Sequence, residues 1–247
     1  MPKINKANRQ VCDVDIRDLK TKKPFLFFDT ANTTTEDISS DAVYAMAKGA
    51  RRIAFNNPMT GTATIEAQVY PFEFYSLFMD GKIETTAAYP EKKTIKCTTA
   101  GELSIPEGAV SGTVFVFAVG AWGETPIEGT FANNKFTATT AADIAVDTDY
   151  EVGYIVSKSS GVKKITFNDK KKTNAYYICM NTVEKDEEDV LTPYRIIFYK
   201  AQPQRQFSLS QSSEGDPATV TLNLELLSDK DGNFVEMIEL SDETEQA

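Results

Sequence analysis

The residue types that most often carry chemistry are sparse in this chain. There is no histidine among the 247 residues, which removes Ser–His and Cys–His nucleophile pairs, the usual near-neutral base and every histidine metal site. Cys12, Cys97 and Cys179 are far apart and odd in number, so neither a zinc spacing nor a disulfide framework is visible. We therefore predict small, packed cysteines in a reducing compartment, and no metal or cofactor.

Carboxylates are plentiful, but their spacing does not single out a site. The chain has 36 acidic and 26 basic residues, which gives a formal net charge of -10. The acidic turns at residues 184–189 and 229–236 lack the D-x-D-x-D-G…E order of a calcium loop. A carboxylate pair could in principle serve a glycosidase, but no G-x-S-x-G motif, P-loop or distinctive carboxylate pair is present. An enzyme is the least favoured interpretation of the sequence.

The basic residues do not indicate a nucleic-acid site. Lys163 and Lys164, followed by residues 170–172, form a lysine cluster without interleaved aromatic residues, which is more typical of a solvated turn. A strongly acidic protein is not expected to bind phosphates, since that requires Lys and Arg to release counterions. The first ten residues lack the apolar region of a secretory signal, and no apolar run approaches the length of a membrane helix.

The clearest structural signal is strict alternation in two separate segments. In residues 59–70 one predicted face is apolar and the other polar, and the same holds for residues 218–226. Such period-2 patterns predict half-buried antiparallel strands. The predicted apolar faces consist of Ala63, Ile65, Ala67 and Val69 in the first segment and Ala218, Val220, Leu222, Leu224 and Leu226 in the second. Residues 195–200 and 206–212 are also predicted to be strands.

Two further segments flank the first strand. Residues 29–48 are rich in Thr, Ser, Asp and Asn with one short apolar patch, and we interpret them as a long surface loop. Pro71 suits the first turn of a helix, aromatic side chains follow at helical spacing, and Gly81 supplies a stop. Residues 71–80 are therefore predicted to form a short aromatic-rich α-helix that packs on the sheets.

The central part of the chain differs in character. Residues 91–160 contain short strand-like runs separated by Gly, Pro and Asn-Asn, which predicts a β-rich insertion, with patterning that resembles immunoglobulin-like modules but lacks their Cys…Trp…Cys arrangement. The predicted organisation is a discontinuous domain of residues 1–90 and 161–240, the insertion, and a disordered tail of residues 241–247. Trp122 lies in a glycine-rich turn, where an exposed contact and a tucked anchor are both consistent with the pattern.

Two well-separated stretches carry a family resemblance. The first is a basic-aromatic strand followed by FSLSQSSEGDPATVTLNLELL and an acidic D-K-D-G-N turn; the second is RIAF, then TGTATIEAQVY, then an aromatic helix ending M-D-G. In these features the chain resembles the major tail tube proteins of long-tailed bacteriophages, particularly those infecting Gram-positive hosts. The resemblance implies a mainly β fold with two packed antiparallel sheets, a β-sandwich or half-barrel, with one short flanking α-helix.

The same resemblance implies a structural role in the virion tail, with the protein made in the host bacterial cytoplasm. Six copies would form a ring, rings would stack into a tube that carries DNA, and the partners would be the tape measure, tail terminator and baseplate or tail-tip proteins, with a sheath as a further possibility. Residues 31–47 would reach the adjoining ring. The stacking candidates are Thr33, Thr34, Thr35, Glu36, Asp37, Ile38, Tyr44 and Met46.

A tube that passes DNA without specific binding needs a lumen that does not attract phosphates. Hydroxyl and acidic side chains on one strand face would serve, and the candidates are Thr62, Thr64, Glu66, Thr219, Thr221 and Glu225. The alternative function is a carbohydrate-binding or adhesion β-module of a virion. Trp122, the single tryptophan, is its support, although glycan sites usually use several exposed aromatic residues.

Overall fold

The structure is a computed structural model, and it describes residues 5–208, 213–215 and 217–240. The chain divides into two compact units: unit 1 is Met1–Lys82 with Thr166–Ala247, and unit 2 is Ile83–Ile165. The predicted disordered tail, residues 241–247, lies outside the described residues, as do the last four residues of the predicted strand 206–212.

The strands of the described chain are numbered in order. They are β1 (Lys6–Ala7), β2 (Asp13–Asp18), β3 (Pro24–Phe28), β4 (Ala31–Ser39), β5 (Ala42–Ala47), β6 (Ala50–Asn56), β7 (Thr60–Ala67), β8 (Ala87–Lys96), β9 (Glu102–Ser104), β10 (Phe115–Ala118), β11 (Gly129–Ala132), β12 (Lys135–Ala138), β13 (Asp149–Lys158), β14 (Tyr176–Asp186), β15 (Leu191–Pro203), β16 (Val220–Leu226) and β17 (Val235–Glu239). Two short 3₁₀ helices span Phe72–Phe78 and Ala141–Asp143. The expectation of a mainly β fold with antiparallel sheets and a short helix is confirmed.

Unit 1 is built on one nine-stranded antiparallel sheet. Its main path runs β3-β2-β14-β15-β16-β7-β4, while β1 pairs with β14 and β17 pairs with β15. Where β14 pairs with β15, Tyr176 lies opposite Ala201 and Ile178 lies opposite Phe198. Strand β15 therefore has one extra residue between these two pairs, which marks a β-bulge. Before the bulge β15 pairs with β17, and after it β15 pairs with β16. One long strand therefore joins two parts of the sheet.

The core of unit 1 follows from the alternation in its strands. Ile65 and Leu222 are fully buried and lie opposite each other on β7 and β16. The helix Phe72–Phe78 covers this side of the sheet with Phe74, Leu77 and Phe78. Phe74 packs edge-on against Phe28, with ring centroids 5.6 Å apart, a geometry that aromatic pairs favour.

Three local predictions need correction. The segment 31–47, predicted to be a loop, is strand: β4 pairs with β7, and β5 pairs with β6. The helix after Pro71 spans Phe72–Phe78 and is 3₁₀ rather than α. Residues 206–208 are not strand; instead Phe207 stacks on Phe78 at 4.7 Å, centroid to centroid, and fills the core edge.

Unit 2 contains two three-stranded antiparallel sheets, ordered β10-β13-β8 and β11-β12-β9. Buried side chains from both sheets share one core, in which Val116, Val152 and Ile144 are fully buried together with Leu103 and Phe136. This arrangement is a small β-sandwich in which each sheet covers the apolar side of the other.

Candidate assembly surfaces

The predicted polar faces of β7 and β16 lie side by side. Glu66 faces Thr221, Thr64 faces Asn223, and Thr62 faces Glu225 in the antiparallel register of the two strands. Thr64 donates a hydrogen bond to the Asn223 Oδ1 atom at 3.1 Å. Thr219 precedes β16 and accepts a hydrogen bond from Gln68 instead. Sequence candidates separated by more than 150 residues are thus brought onto one surface.

Strand β4 extends this surface on the other side of β7. Thr33, Thr35 and Asp37 lie opposite Glu66, Thr64 and Thr62, so these predicted stacking residues share the face of the predicted lumen residues. We call this surface the polar face. It consists of Thr33, Thr35, Asp37, Thr62, Thr64, Glu66, Thr221, Asn223 and Glu225. None of these nine positions is Lys or Arg, so its charge comes from three carboxylates.

Thr34 and Glu36 lie on the opposite side of β4, toward the core. Glu36 is paired in register with the buried Ala63, and its Oε1 atom is buried without a hydrogen-bond partner among the described residues. Burial, reinforced by the neighbouring charge of Asp37, raises the pKa of Glu36. A charged side chain that points inward from an edge strand disfavours indiscriminate pairing of that edge.

Strands β5 and β6 form a hairpin that continues beyond the sheet, and we call residues 42–56 the arm. Every residue of β5 and β6 is exposed except Ala42, which is half-buried. Lys48 and Gly49 both have positive φ at the tip, 50° and 80°, as a tight hairpin turn requires. The arm pairs only within itself in the described chain.

Both faces of the arm carry apolar side chains. Val43 and Phe55 are directly opposite and each 59% exposed, and Ile53 follows on the same face at 57%. On the other face Met46 is 59% exposed, and Arg51 lies 4.4 Å from the ring centroid of Tyr44. Of the predicted stacking residues, Tyr44 and Met46 lie in the arm, while Ile38 lies near the end of β4 and is exposed.

Val43, Ile53 and Phe55 are contact candidates that the sequence did not reveal. The pattern of residues 51–55 predicts a short strand, and it does not reveal exposed contacts because apolar alternation normally indicates burial. The signal that could have identified the arm is the Lys48-Gly49 pair between two five-residue segments, VYAMA and RRIAF, that both contain apolar residues.

The described residues were compared with the requirements of metal-binding and nucleophilic sites. They contain no group of three or more His, Cys, Asp or Glu side chains placed to hold a metal ion. All three cysteines are free, and burial raises the pKa of the Cys12 and Cys179 thiols, which makes them poor nucleophiles. The described chain also contains no helix long and apolar enough to span a membrane.

Comparison with known proteins identifies the family of the chain. Residues 9–238, most of the chain, match the YomU/Tube protein family. The search of curated proteins found no significant match. The chain therefore belongs to the YomU/Tube protein family, a family of phage-derived tube proteins, and is a structural component of a phage tail.

Proposed function

We propose that six copies of this chain form a ring, and that the rings stack into the tail tube of a long-tailed phage of a Gram-positive host, through which DNA passes to the cell. The proposal rests chiefly on the arm. An isolated two-stranded hairpin is at best marginally stable in water, and this one exposes apolar side chains on both faces. It needs a surface outside its own copy to order it.

A second copy of the chain is the partner that the charges favour. The arm carries Lys48, Arg51 and Arg52 and no acidic residue between positions 42 and 56, whereas the chain as a whole has a net charge of -10. The arm of one copy is therefore attracted to the surface of another copy. Burial of Phe55, Ile53 and Val43 there would supply about 1.5–3 kcal/mol for each fully buried side chain.

The sheet offers a route to ring closure. Strands β3 and β4 are the two ends of the strand order, and neither end pairs with a further strand in the described residues. Unpaired edges invite strand addition, and edge-to-edge contact between successive copies is a heterologous interface that closes into a ring. Ring closure would then provide hydrogen-bond partners for backbone groups on the outer edge of β4, which has no neighbouring strand within one copy.

The polar face is our candidate for the lumen wall. Its threonines are neutral, and its charged members Asp37, Glu66 and Glu225 repel phosphates. DNA would slide past such a wall without being held. The proposed role is non-enzymatic and needs no cofactor, and its partners would be the tape measure, tail terminator and tail-tip or baseplate proteins, and a sheath if the tail is contractile.

Negative-stain electron microscopy of the purified protein, over a range of protein and salt concentrations, tests the arm directly. We expect hollow rings or tubes with sixfold end views for the natural chain. The double variant Ile53→Ser/Phe55→Ser should remain unassembled, whereas the control Val119→Ser/Val146→Ser, which removes exposed apolar side chains from unit 2, should assemble normally. Failure of the natural chain to assemble even with tail-tip and tape-measure proteins would contradict the proposal.

Charge reversal tests the lumen assignment separately. Phage carrying Glu66→Lys/Glu225→Lys should assemble tails but eject DNA more slowly, because the new lysines bind phosphates. Glu107→Lys/Glu124→Lys changes the net charge equally at exposed positions of unit 2 and is the matched control. Equal ejection by all three phages would remove the support for the polar face as the lumen wall.

A further inference from the structure

The arm continues from one end of the β4–β7 pair, and the opposite end of that pair also exposes apolar side chains. Ser39 pairs with Thr60 next to the arm, and Ala31 pairs with Ala67 at the other end. Two residues beyond Ala67, Val69 is 68% exposed, which is the largest exposed fraction among the large apolar side chains of the described chain. We call residues 29–32 and 68–73 the far end.

Contacts within the chain hold the far end in place. Thr30 Oγ1 donates a hydrogen bond to the Val69 carbonyl at 2.6 Å. The Phe72 ring packs against the Tyr75 ring, with centroids 6.1 Å apart, but remains 42% exposed. Val69 and Phe72 are three residues apart, so their Cα atoms lie within about 11 Å of each other. The far end is therefore a small apolar surface whose position on the sheet is fixed.

The far end and the arm carry charges of opposite sign. The far end contains Asp29 and Glu73 and no Lys or Arg, and Asp29 is exposed. The arm has three basic residues and no acidic one. Apolar side chains flanked by opposite charges on two surfaces favour contact between those surfaces and fix its orientation. The arm of a second copy is therefore the partner whose chemistry matches the far end.

Three other exposed surfaces of the described chain lack part of this match. The polar face has three carboxylates, but none of its nine residues is aliphatic or aromatic. In unit 2, Trp122 is 46% exposed, but Lys92 Nζ lies 4.4 Å from its ring centroid and would repel the basic arm. On β3, the exposed Phe27 lies opposite Asp15, whose carboxylate is already paired with Arg17.

The positions of the two surfaces also favour this contact. Because the arm and the far end lie at opposite ends of the same two strands, a shift along the strand direction brings the arm of one copy to the far end of the next. The strands of the arm, with 6 and 7 residues, extend about 20 Å at about 3.4 Å per residue. The same heterologous contact then repeats from copy to copy along that direction.

We propose that the far end of one copy binds the arm of a copy in the next ring, with Ile53 and Phe55 packed against Val69 and Phe72. The basic residues of the arm lie beside Asp29 in this contact. The inference rests on the proposed tube function and names the surface that orders the arm. Each ring then exposes arms at one end and far ends at the other, so a tube grows with a single polarity.

Cysteine pairs test the contact in assembled tubes. The variant Ile53→Cys/Val69→Cys would be assembled, checked by microscopy, oxidised and run on a non-reducing denaturing gel. We expect a ladder of linked chains, because each copy gives one arm and receives another, while the two cysteines of one copy lie at opposite ends of a strand pair. Val43→Cys/Val69→Cys samples a second register of the same contact.

The matched control is Ile53→Cys/Val119→Cys, which places the second cysteine at a similarly exposed valine of unit 2 and should give no ladder. The natural chain, oxidised in parallel, gives the background from its own three cysteines. A ladder from the control, with none from either variant that carries Val69→Cys, would overturn the proposal.

Val69→Lys tests the contact without oxidation. A lysine at this position opposes the positive charge of the arm and removes an apolar contact, so half-maximal assembly should need about tenfold more protein. Val119→Lys should assemble as the natural chain does. The unfolding midpoints of both unassembled variants should be unchanged, since both valines are exposed.

The failure of this inference is distinguishable from the failure of the tube function. If the natural chain forms tubes and Val69→Lys forms them equally well, the far end does not bind the arm, while the tube function stands. If the natural chain forms no tubes even with tail-tip and tape-measure proteins, the tube function fails and this inference fails with it.

Discussion

The long hairpin from β4 to β7 has two halves that differ in where their apolar side chains go. In the half formed by β4 and β7, Ala63, Ile65 and Ala67 are buried and the polar residues face outward. In the half formed by β5 and β6, Val43, Ile53 and Phe55 are as apolar as anything in β7 but remain exposed. Antiparallel pairing is present in both halves.

This contrast separates two reasons for having apolar residues in a strand. In the β4–β7 half, they hold one copy of the protein together by packing under the helix Phe72–Phe78. In the arm, they contribute no core within their own copy, and exposed apolar patches of this kind mark interaction sites. Stability should therefore depend on the first half and assembly on the second.

The largest effect expected from this division is a difference in the free energy of unfolding between two isoleucine-to-alanine variants, one in each half. Ile65→Ala, at a fully buried position, should lower the free energy of unfolding by about 2–5 kcal/mol, because it leaves a cavity in the core. Ile53→Ala, at a position 57% exposed, should change it by less than about 0.5 kcal/mol. Urea denaturation of the unassembled protein measures both. A comparable loss in the two variants would show that the arm is part of the monomer core.

The two glycines of the hairpin give a second pair. A Cβ at Gly61 would lie 3.0 Å from the Phe234 ring and 3.1 Å from the Asp37 carbonyl oxygen, so Gly61→Ala should cost about 1–3 kcal/mol of global stability through overpacking. Gly49, at the tip of the arm, has a φ of 80° with open space around it. Gly49→Ala should strain the turn by about 1–2 kcal/mol.

The two glycine variants are distinguished by the quantity that changes. Denaturation midpoints should fall for Gly61→Ala and remain unchanged for Gly49→Ala, since the arm frays without unfolding the core. Assembly assayed by microscopy should weaken for Gly49→Ala. If Gly49→Ala lowered the denaturation midpoint as much as Gly61→Ala, the energetic independence of the two halves would be disproved.

The smallest expected change in stability concerns Glu36, in the half of the hairpin formed by β4 and β7. Its pKa in the folded protein is raised above the ordinary value of a glutamate, first by burial and then by Asp37. Protonation of Glu36 therefore contributes to the free energy of unfolding. That contribution is complete below the pKa that Glu36 has in the unfolded chain, and it is lost as pH rises through the pKa that Glu36 has in the folded protein. Glu36→Gln should stabilise the monomer at pH 7 by on the order of 0.5 kcal/mol, after allowance for solvent screening.

The pH profile is the control for that substitution. Near pH 4 the natural chain carries a largely protonated Glu36, so the advantage of Glu36→Gln should shrink toward zero. Denaturation curves collected from about pH 4 to about pH 7.5 give this difference directly. A constant advantage across that range would mean that ionisation of Glu36 is not its source.

The core sheet was largely predictable from the sequence, because period-2 alternation is a local signal. The burial of Ile65 and Leu222, and the exposure of Glu225, follow from it without knowledge of the fold. The register that places Thr62 opposite Glu225 did not follow, since pairing between segments so distant in the chain is set by tertiary packing. Helix type was missed because a short run of aromatic residues at helical spacing suits 3₁₀ and α geometry alike.

The candidate surfaces were less predictable for a physical reason. Sequence patterns report which side chains avoid water, but not whether the partner that covers them belongs to the same copy. The polar threonines of residues 31–39 favour a loop prediction, yet threonine is also a good strand residue, and β4 needs little apolar content as an edge strand. Gly153 gave no signal at all that Trp122 would pack against it, because the two residues meet only in the folded sheet.

Hydrogen–deuterium exchange of residues 42–56, measured in the unassembled protein and in assembled tubes, shows most directly whether another copy covers the arm. We predict rapid exchange of the arm amides in the unassembled protein, because the isolated hairpin protects them only weakly, and strong protection in tubes. The amides of β7 and β16 should be protected in both states. If the arm exchanged equally fast in both states, another copy would not cover it, and the assembly role assigned to the arm would be wrong.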